Sequence, residues 1–228
     1  MKIASNRSLF VMCLILLTFG SILVQAQTMK DVNGNVYRTS KLGIQEWSAN
    51  NLNVTAFRNG DVIPEAKTKE EWIKAGVAEK PAWCYFKNDP VNGLKYGKLY
   101  NWYAINDKRG LAPNGWRISI NKDWELLVKN LLGIDYAGPK LKSTSGWKSK
   151  VNTNKIGFSA LPGGLRDENG NFNFLGTVGQ WWSNTQPVEV MKSNLIYSVK
   201  LNDNTVEVSY IKVKKGTGLS VRCVRDLK

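Results

Sequence analysis

Residues 96–127, YGKLYNWYAINDKRGLAPNGWRISINKDWELL, carry the pattern that decides the fold class. Tyr96, Tyr100 and Tyr103 share this stretch with Trp102, Trp116 and Trp124. Leu99, Trp102 and Tyr103 fall at i, i+3 and i+4, which predicts a helix with one aromatic and apolar face. Gly110, Pro113, Asn114 and Gly115 interrupt that spacing. It restarts at Asp123, where Trp124, Leu127 and Val128 predict a second helix on the same rule. Large aromatics at helical spacing are core residues, so this segment is expected to be structural and any binding chemistry to lie elsewhere.

Working outward toward the N-terminus, turns and short strands replace helical spacing. Residues 28–30 read as an exposed leader. Asp31 to Thr39 reads as an Asn-Gly turn feeding a strand, and Leu42 to Trp47 as its return, with Leu42, Ile44 and Trp47 facing inward. Thr68, with Glu71 three residues later, forms a capping box, so a helix is predicted through Trp72 and Ala75, stopped by Gly76. Pro81 to Phe86 is a strand by composition, and residues 88–93 a loop.

Toward the C-terminus, residues 133–146 read as a lysine-bearing connector containing Pro139. Paired glycines and a proline in residues 160–166 forbid a regular central strand. Asp167 to Phe174 is a second Asn-Gly hairpin. Trp181-Trp182, Ile196 to Leu201, Thr205 to Val213 and Ser220 to Val224 close the chain as strands. Helices confined to the middle and strands elsewhere give an α+β class with antiparallel sheet, in one domain over residues 27–228.

The first 26 residues have a different character. Lys2 and Arg7 precede an apolar run from Leu9 to Phe19, and small residues end at Ala26. This is the pattern of a signal peptide cleaved after Ala26, shorter than a membrane span. The expectation is an exported protein of the periplasm, cell surface or exterior, with no transmembrane span in its mature form. Loss of Lys2 and Arg7 takes the formal charge from +14 to +12. In an exported protein that charge points away from nucleic acid and toward acidic polysaccharide, lipopolysaccharide phosphate or a mucin-like glycan, or else serves solubility. Oligomeric state is open. Cys84 and Cys223 remain after cleavage. An oxidising compartment favours a disulfide between them, and a buried free pair is the alternative.

Histidine is absent, which excludes Ser-His-Asp and Cys-His catalysis and any histidine-ligated zinc or copper. The neighbouring acids Asp167 and Glu168, Glu70 and Glu71, and Asp123 and Glu125 are poor candidates for a glycosidase pair. Asp167, Asn169 and Asn171 have oxygens for calcium, but the same residues suit a plain turn, so no metal is expected. Adjacent Trp181 and Trp182 must point to opposite faces of a strand. The one turned outward, with Asn184 and Arg166, would form a stacking platform for a sugar or peptide, unless the following loop buries both.

Several blocks together resemble the Fibrobacter succinogenes major paralogous domain. They are Asp31 to Thr39, Gly43 to Trp47, Asn50-Asn51-Leu52, Tyr96 to Ala104, Pro113 to Ile118, Asp123 to Leu127, Gly157 to Arg166, Trp181 to Thr185 and Ser220 to Asp226. The resemblance implies an exported bacterial protein with a variant of the C-type lectin fold, also used by formylglycine-generating enzymes. It departs from the family where Ala112-Pro113 replaces Cys-Pro, which leaves Cys84 as the one candidate partner for Cys223. It departs again at Ser119-Ile120, which moves the expected helix cap to Ser119 or Asn121. A calcium lectin's Trp-Asn-Asp triplet is here Trp182-Ser183-Asn184, without the aspartate. The expected function is a non-enzymatic binding module for glycan or protein, without cofactor. A structural envelope protein or a formylglycine-generating-like oxidase using Cys84 and Cys223 are the alternatives.

Overall fold

The computed structural model describes residues 28–149, 152–185 and 194–227. The expected signal peptide lies outside them. The first strand, β1 (Thr28–Lys30), turns through Asn33-Gly34 into β2 (Val36–Leu42), and Gly43-Ile44 turns the chain back into β3 (Gln45–Ser48). Residues 28–30 are therefore a paired strand rather than a leader, with Met29 buried opposite Tyr37. Ile44 sits on the turn and is 65% exposed, so only Trp47 of the expected inward set is fully enclosed. The last strand, β12 (Cys223–Asp226), lies antiparallel between β3 and the two-residue β6 (Arg117–Ile118). One five-stranded sheet thus runs β1-β2-β3-β12-β6 and clasps the two ends of the described chain together.

Helix α1 (Lys69–Val77) begins as its sequence dictates. Thr68 Oγ1 accepts the Glu71 N–H at 3.1 Å while Glu71 accepts the Thr68 N–H at 3.0 Å. The helix runs one residue past Gly76. After β4 (Trp83–Cys84), the expected loop folds instead into α2 (Pro90–Tyr96). Proline suits its first turn, and Asp89 caps it by accepting the Val91 N–H at 2.9 Å. Gly97 ends it at φ +75°, where a Cβ would stand 2.9 Å from the Leu52 carbonyl oxygen, so only glycine lets the chain lie this close.

The first helix expected in the aromatic stretch is divided into a strand and a short helix. Leu99 and Tyr100 form β5, paired with β4, and only Trp102–Ile105 is helical, as α3. Asn101 breaks the pattern by capping α3, its side chain accepting the Ala104 N–H at 3.1 Å. The second helix matches its prediction. Helix α4 (Asn121–Lys129) buries Trp124, Leu127 and Val128. Its cap is neither Ser119 nor Asn121 but Ile120, whose N–H goes to the Asp123 carboxylate at 2.9 Å. Ser119 instead accepts the Trp124 indole N–H at 3.0 Å.

The expected connector contains α5 (Ile134–Leu141), which has Pro139 inside it. Its glycine serves close packing. A Cβ on Gly138 would sit 2.4 Å from the Val206 carbonyl oxygen. Strands β7 (Leu165–Arg166) and β8 (Phe172–Asn173) flank the second Asn-Gly turn. A three-stranded sheet follows, with β10 (Leu195–Asn202) between β9 (Val178–Trp182) and β11 (Val208–Lys214). The class is α+β, with every pairing between these strands antiparallel.

Aromatic packing fills the spaces between these sheets. Phe158 meets Trp47 and Trp124 edge to face at ring-centroid distances of 5.7 and 5.6 Å, and Trp124 makes tilted contacts with Trp47 at 4.9 Å and Trp181 at 5.9 Å. Among these rings the Arg222 guanidinium is wholly buried, and no carboxylate reaches it among the described residues. It donates to the Ser48, Phe158 and Ser159 carbonyls and, at 2.7 Å, to the Asn51 side-chain oxygen. Burial pulls its pKa down to about 9, still above neutrality. The same Asn51 oxygen accepts the Trp181 indole N–H at 2.8 Å, and the Asn51 amide donates to the Tyr96 carbonyl and Ser220.

Asn51→Ala therefore strips the acceptor from two buried donors, and it should lower unfolding stability by on the order of 3 kcal/mol. Asn50→Ala next to it is exposed and should stay within about 0.5 kcal/mol of the wild type. Urea denaturation of both variants measures the contrast.

Candidate functional site

The expected stacking platform does not form. Trp181 and Trp182 do point to opposite faces of β9, but β9 belongs to a sheet covered on both sides. Trp181 enters the cluster around Trp124, and Trp182 enters the one around Tyr100 and Ile196. Both rings are completely buried, and Trp182 spends its indole N–H on the Tyr100 carbonyl at 2.7 Å. Arg166 is buried too. Its guanidinium donates to the Ala66, Thr68 and Gly170 carbonyls at 2.8 to 3.2 Å and lies over the rings of Trp72 and Phe172. It ties α1 to the second turn and offers nothing to a ligand. Asn184 is half-buried and fixes its N–H to the Ser119 carbonyl at 2.8 Å, joining β9 to the start of α4.

The cysteines are also placed otherwise than expected. Both are free and buried, Cys84 among Trp72, Phe86 and Leu99 and Cys223 among Ile118, Leu219 and Val221. They sit in different packed clusters, so no disulfide joins them. Burial pushes each thiol up to about 12, although Arg166 beside Cys84 and Arg222 beside Cys223 pull the other way. A thiol held protonated in a packed core is a poor nucleophile.

The carboxylates of the two turns are committed to structure. Asp167 accepts the backbone and side-chain amides of Asn171 at 2.8 and 3.1 Å. Asp31 does the same in the first turn, taking the Asn33 and Asn35 N–H groups at 2.9 Å and the Asn35 side-chain amide at 2.8 Å. Gly34 and Gly170 complete the two turns alike at φ +84° and +81°. Lone pairs that a cation would need are already aimed at amide protons. Glu168 pairs with Lys214 at 2.7 Å, and Asp123 is enclosed by Arg117 and Gln45.

Among the open grooves of the described residues, two stand out as places for a ligand. One holds about 350 Å3 between the start of β2, residues 50–53 and the end of α2. Asn35, Asn50, Asn51 and Asn53 line it with Arg38 and Lys95, and the exposed side chains of Val36 and Leu94 stand at its margin. Sequence reading treated the Asn50-Asn51-Leu52 block as a family marker only. The local signal was the density of asparagine beside an Asn-Gly hairpin, which was absorbed into turn chemistry. The wall is firm. Lys98 Nζ donates to the Asn53 carbonyl and side-chain oxygens at 2.8 and 2.7 Å, under the rings of Trp83 and Tyr85. Burial lowers the pKa of this amine to about 8. Tyr37 OH accepts the Asn53 N–H at 3.0 Å and donates to Asp31, and burial followed by that carboxylate raises the phenol's pKa.

The second groove, about 600 Å3, runs along α4 between Ile44, Ile120 and Leu126. Its lining is mainly apolar with charged side chains among it, including Lys122, Lys129, Glu125 and Asp226. Arg117 crosses one side, gripping Asp123 with both guanidinium nitrogens and reaching Asp226 at 3.1 Å. No helix among the described residues is long and apolar enough to cross a membrane.

The family model of the Fibrobacter succinogenes major domain matches residues 41–225, and the chain belongs to that family. No curated protein and no solved structure matches it.

The thiol placement makes a direct expectation. Neither cysteine should react with Ellman's reagent in the native protein, both should react in denaturant, and the intact mass should be that of two free thiols. Because each folded-state pKa lies above the ordinary 9.0, the thiols' contribution to stability is intact below pH 9 and is lost as pH rises toward 12. Urea midpoints should fall between pH 8 and pH 10, and the Cys84→Ala, Cys223→Ala double variant should fall less steeply.

Proposed function

We propose that this family member is an exported, non-enzymatic binding module with a C-type-lectin-like fold, and that a glycan seats in the asparagine-lined groove. The observation that carries the reading is the groove itself. Primary amides converge in a shallow cavity whose wall is locked from behind by Lys98 and Asn51. Amides both donate and accept, which suits vicinal hydroxyls, and Val36 and Leu94 suit the C–H face of a sugar ring. The clasp of β2, β3 and β12, with the helices lying between them in sequence, supports the lectin-like reading. Unreactive thiols and carboxylates spent on turns support binding over catalysis. The leader pattern of residues 1–26 supports export to the periplasm, cell surface or exterior, as a single domain.

A second reading places a protein ligand in the groove along α4. It is favoured by the exposure of Ile44 beside Ile120 and Leu126, because interface centres are apolar and their rims charged.

A glycan array probed with residues 27–228, with and without chelator, separates the two. Calcium-independent binding that weakens about tenfold in Asn50→Ala, without loss of stability, is the expected result. A silent array from well-folded protein would sink the glycan reading and leave the protein one.

A further inference from the structure

The asparagine-lined groove differs from the groove along α4 in the sign of its charge. Arg38 and Lys95 are its only charged lining residues, whereas the other groove mixes both signs. Among the described residues, neither Arg38 nor Lys95 meets a carboxylate, and the Lys95 ammonium lies 5.0 Å over the Tyr96 ring. The Asp31 carboxylate is buried behind Asn35 and Tyr37, hydrogen-bonded to Asn33, Asn35 and Tyr37, and does not line the groove.

The hydrogen-bonding capacity points the same way. Asn50 uses its side-chain oxygen to accept the Arg38 N–H at 3.3 Å, and Asn53 uses its own for Lys98 at 2.7 Å. Each of these two oxygens already holds one donor, and the NH2 groups of Asn50 and Asn53 stay available, whereas Asn35 gives its NH2 to Asp31 and Asn51 gives its amide protons to Tyr96 and Ser220. The groove therefore sets the NH2 groups of Asn50 and Asn53 beside two cations. A ligand that satisfies it presents oxygens rather than N–H groups and carries negative charge.

We infer that the ligand of this groove is an acidic glycan, its anionic group held by Arg38 and Lys95 and its neutral oxygens by the amides of Asn50 and Asn53. This rests on the groove being the glycan site. An acidic sugar fits better than an acidic peptide, because a peptide brings a backbone N–H at nearly every residue, and the oxygens of Asn50 and Asn53 each already hold a donor.

Calorimetric titration of residues 27–228 with trigalacturonate, its methyl ester, a sulfated dextran fragment and triglutamate tests this at physiological salt. Trigalacturonate should bind at least about tenfold tighter than its neutral ester, and Arg38→Gln and Lys95→Gln should each weaken it about tenfold. Lys122→Gln, which removes one charge from the other groove, should change it less than about twofold. Thermal melts of the three variants should match the wild type, since all three side chains are exposed. Sulfated dextran binding by the same residues would extend the class from carboxylate to sulfate. Equal affinity for acid and ester, lost in Asn50→Ala, would overturn the acidic inference and leave the groove as a neutral-sugar site. Equal losses in Lys122→Gln would overturn it in favour of diffuse charge attraction. Triglutamate binding as tightly as trigalacturonate would overturn the glycan class. Silence toward every sugar would sink the groove reading with it.

Discussion

A guanidinium with no carboxylate partner at the centre of an aromatic core is the constraint around which this molecule is arranged. Moving such a charge out of water costs several kcal/mol unless every proton finds an acceptor. Arg222 places four of its five protons, on backbone carbonyls from two separate stretches, Ser48 and residues 158–159, and on the side chain of Asn51. Those segments are distant in sequence, so the demand of one side chain fixes their mutual positions. The Asn51 oxygen is shared with Trp181, and its amide reaches Tyr96 and Ser220. A second carbonyl cage around Arg166 does the same for α1 and the turn before β8. Lys142 repeats the device on the Asn202 and Thr205 carbonyls beneath Trp147. Directional hydrogen bonds to fixed carbonyls give the loop-rich parts of the chain a single arrangement, which nondirectional apolar packing does not by itself provide.

What was legible in the sequence followed from local rules. The capping box of Thr68 and Glu71 and the spacing of Trp124, Leu127 and Val128 each name their element without tertiary help. The two Asn-Gly turns are legible for the same reason. Helix α5 was not, because Gly138 and Pro139 carry the signature of a connector. The purpose of Gly138 is an approach to Val206 that appears only when residue 138 meets residue 206. The spacing of Leu99, Trp102 and Tyr103 was true as arithmetic but spans a strand, a cap and a short helix. Asn101 was the clue, since a capping residue in the middle of an apolar pattern divides it.

The site shows the same limit more sharply. Strand alternation correctly separates Trp181 from Trp182, yet it cannot say whether the second face of the sheet is covered. Two cores lie against this sheet, so both rings are enclosed. Arg166 looked like a surface donor because arginine usually is one, and its cage comes from residues about one hundred positions away. Spacing between two cysteines says nothing of which cluster each will enter. Non-local packing decided all of these, and none of it is written in a neighbouring residue.

The segment Asn50-Asn51-Leu52-Asn53 brings core and surface together. Asn51 and Leu52 are buried, while Asn50 is exposed and Asn53 half-buried. The inward residues are held by Arg222, Trp181 and the Tyr96 carbonyl, and Asn53 is gripped by Lys98. A groove wall built on such a segment loses little conformational freedom when a ligand arrives, because the core has already restricted its backbone. Preorganisation of that kind is what a small polar site needs, since it has little apolar area with which to offset the cost of ordering. On the proposed reading, the buried cations serve recognition indirectly. They hold the backbone from which the outward amides extend.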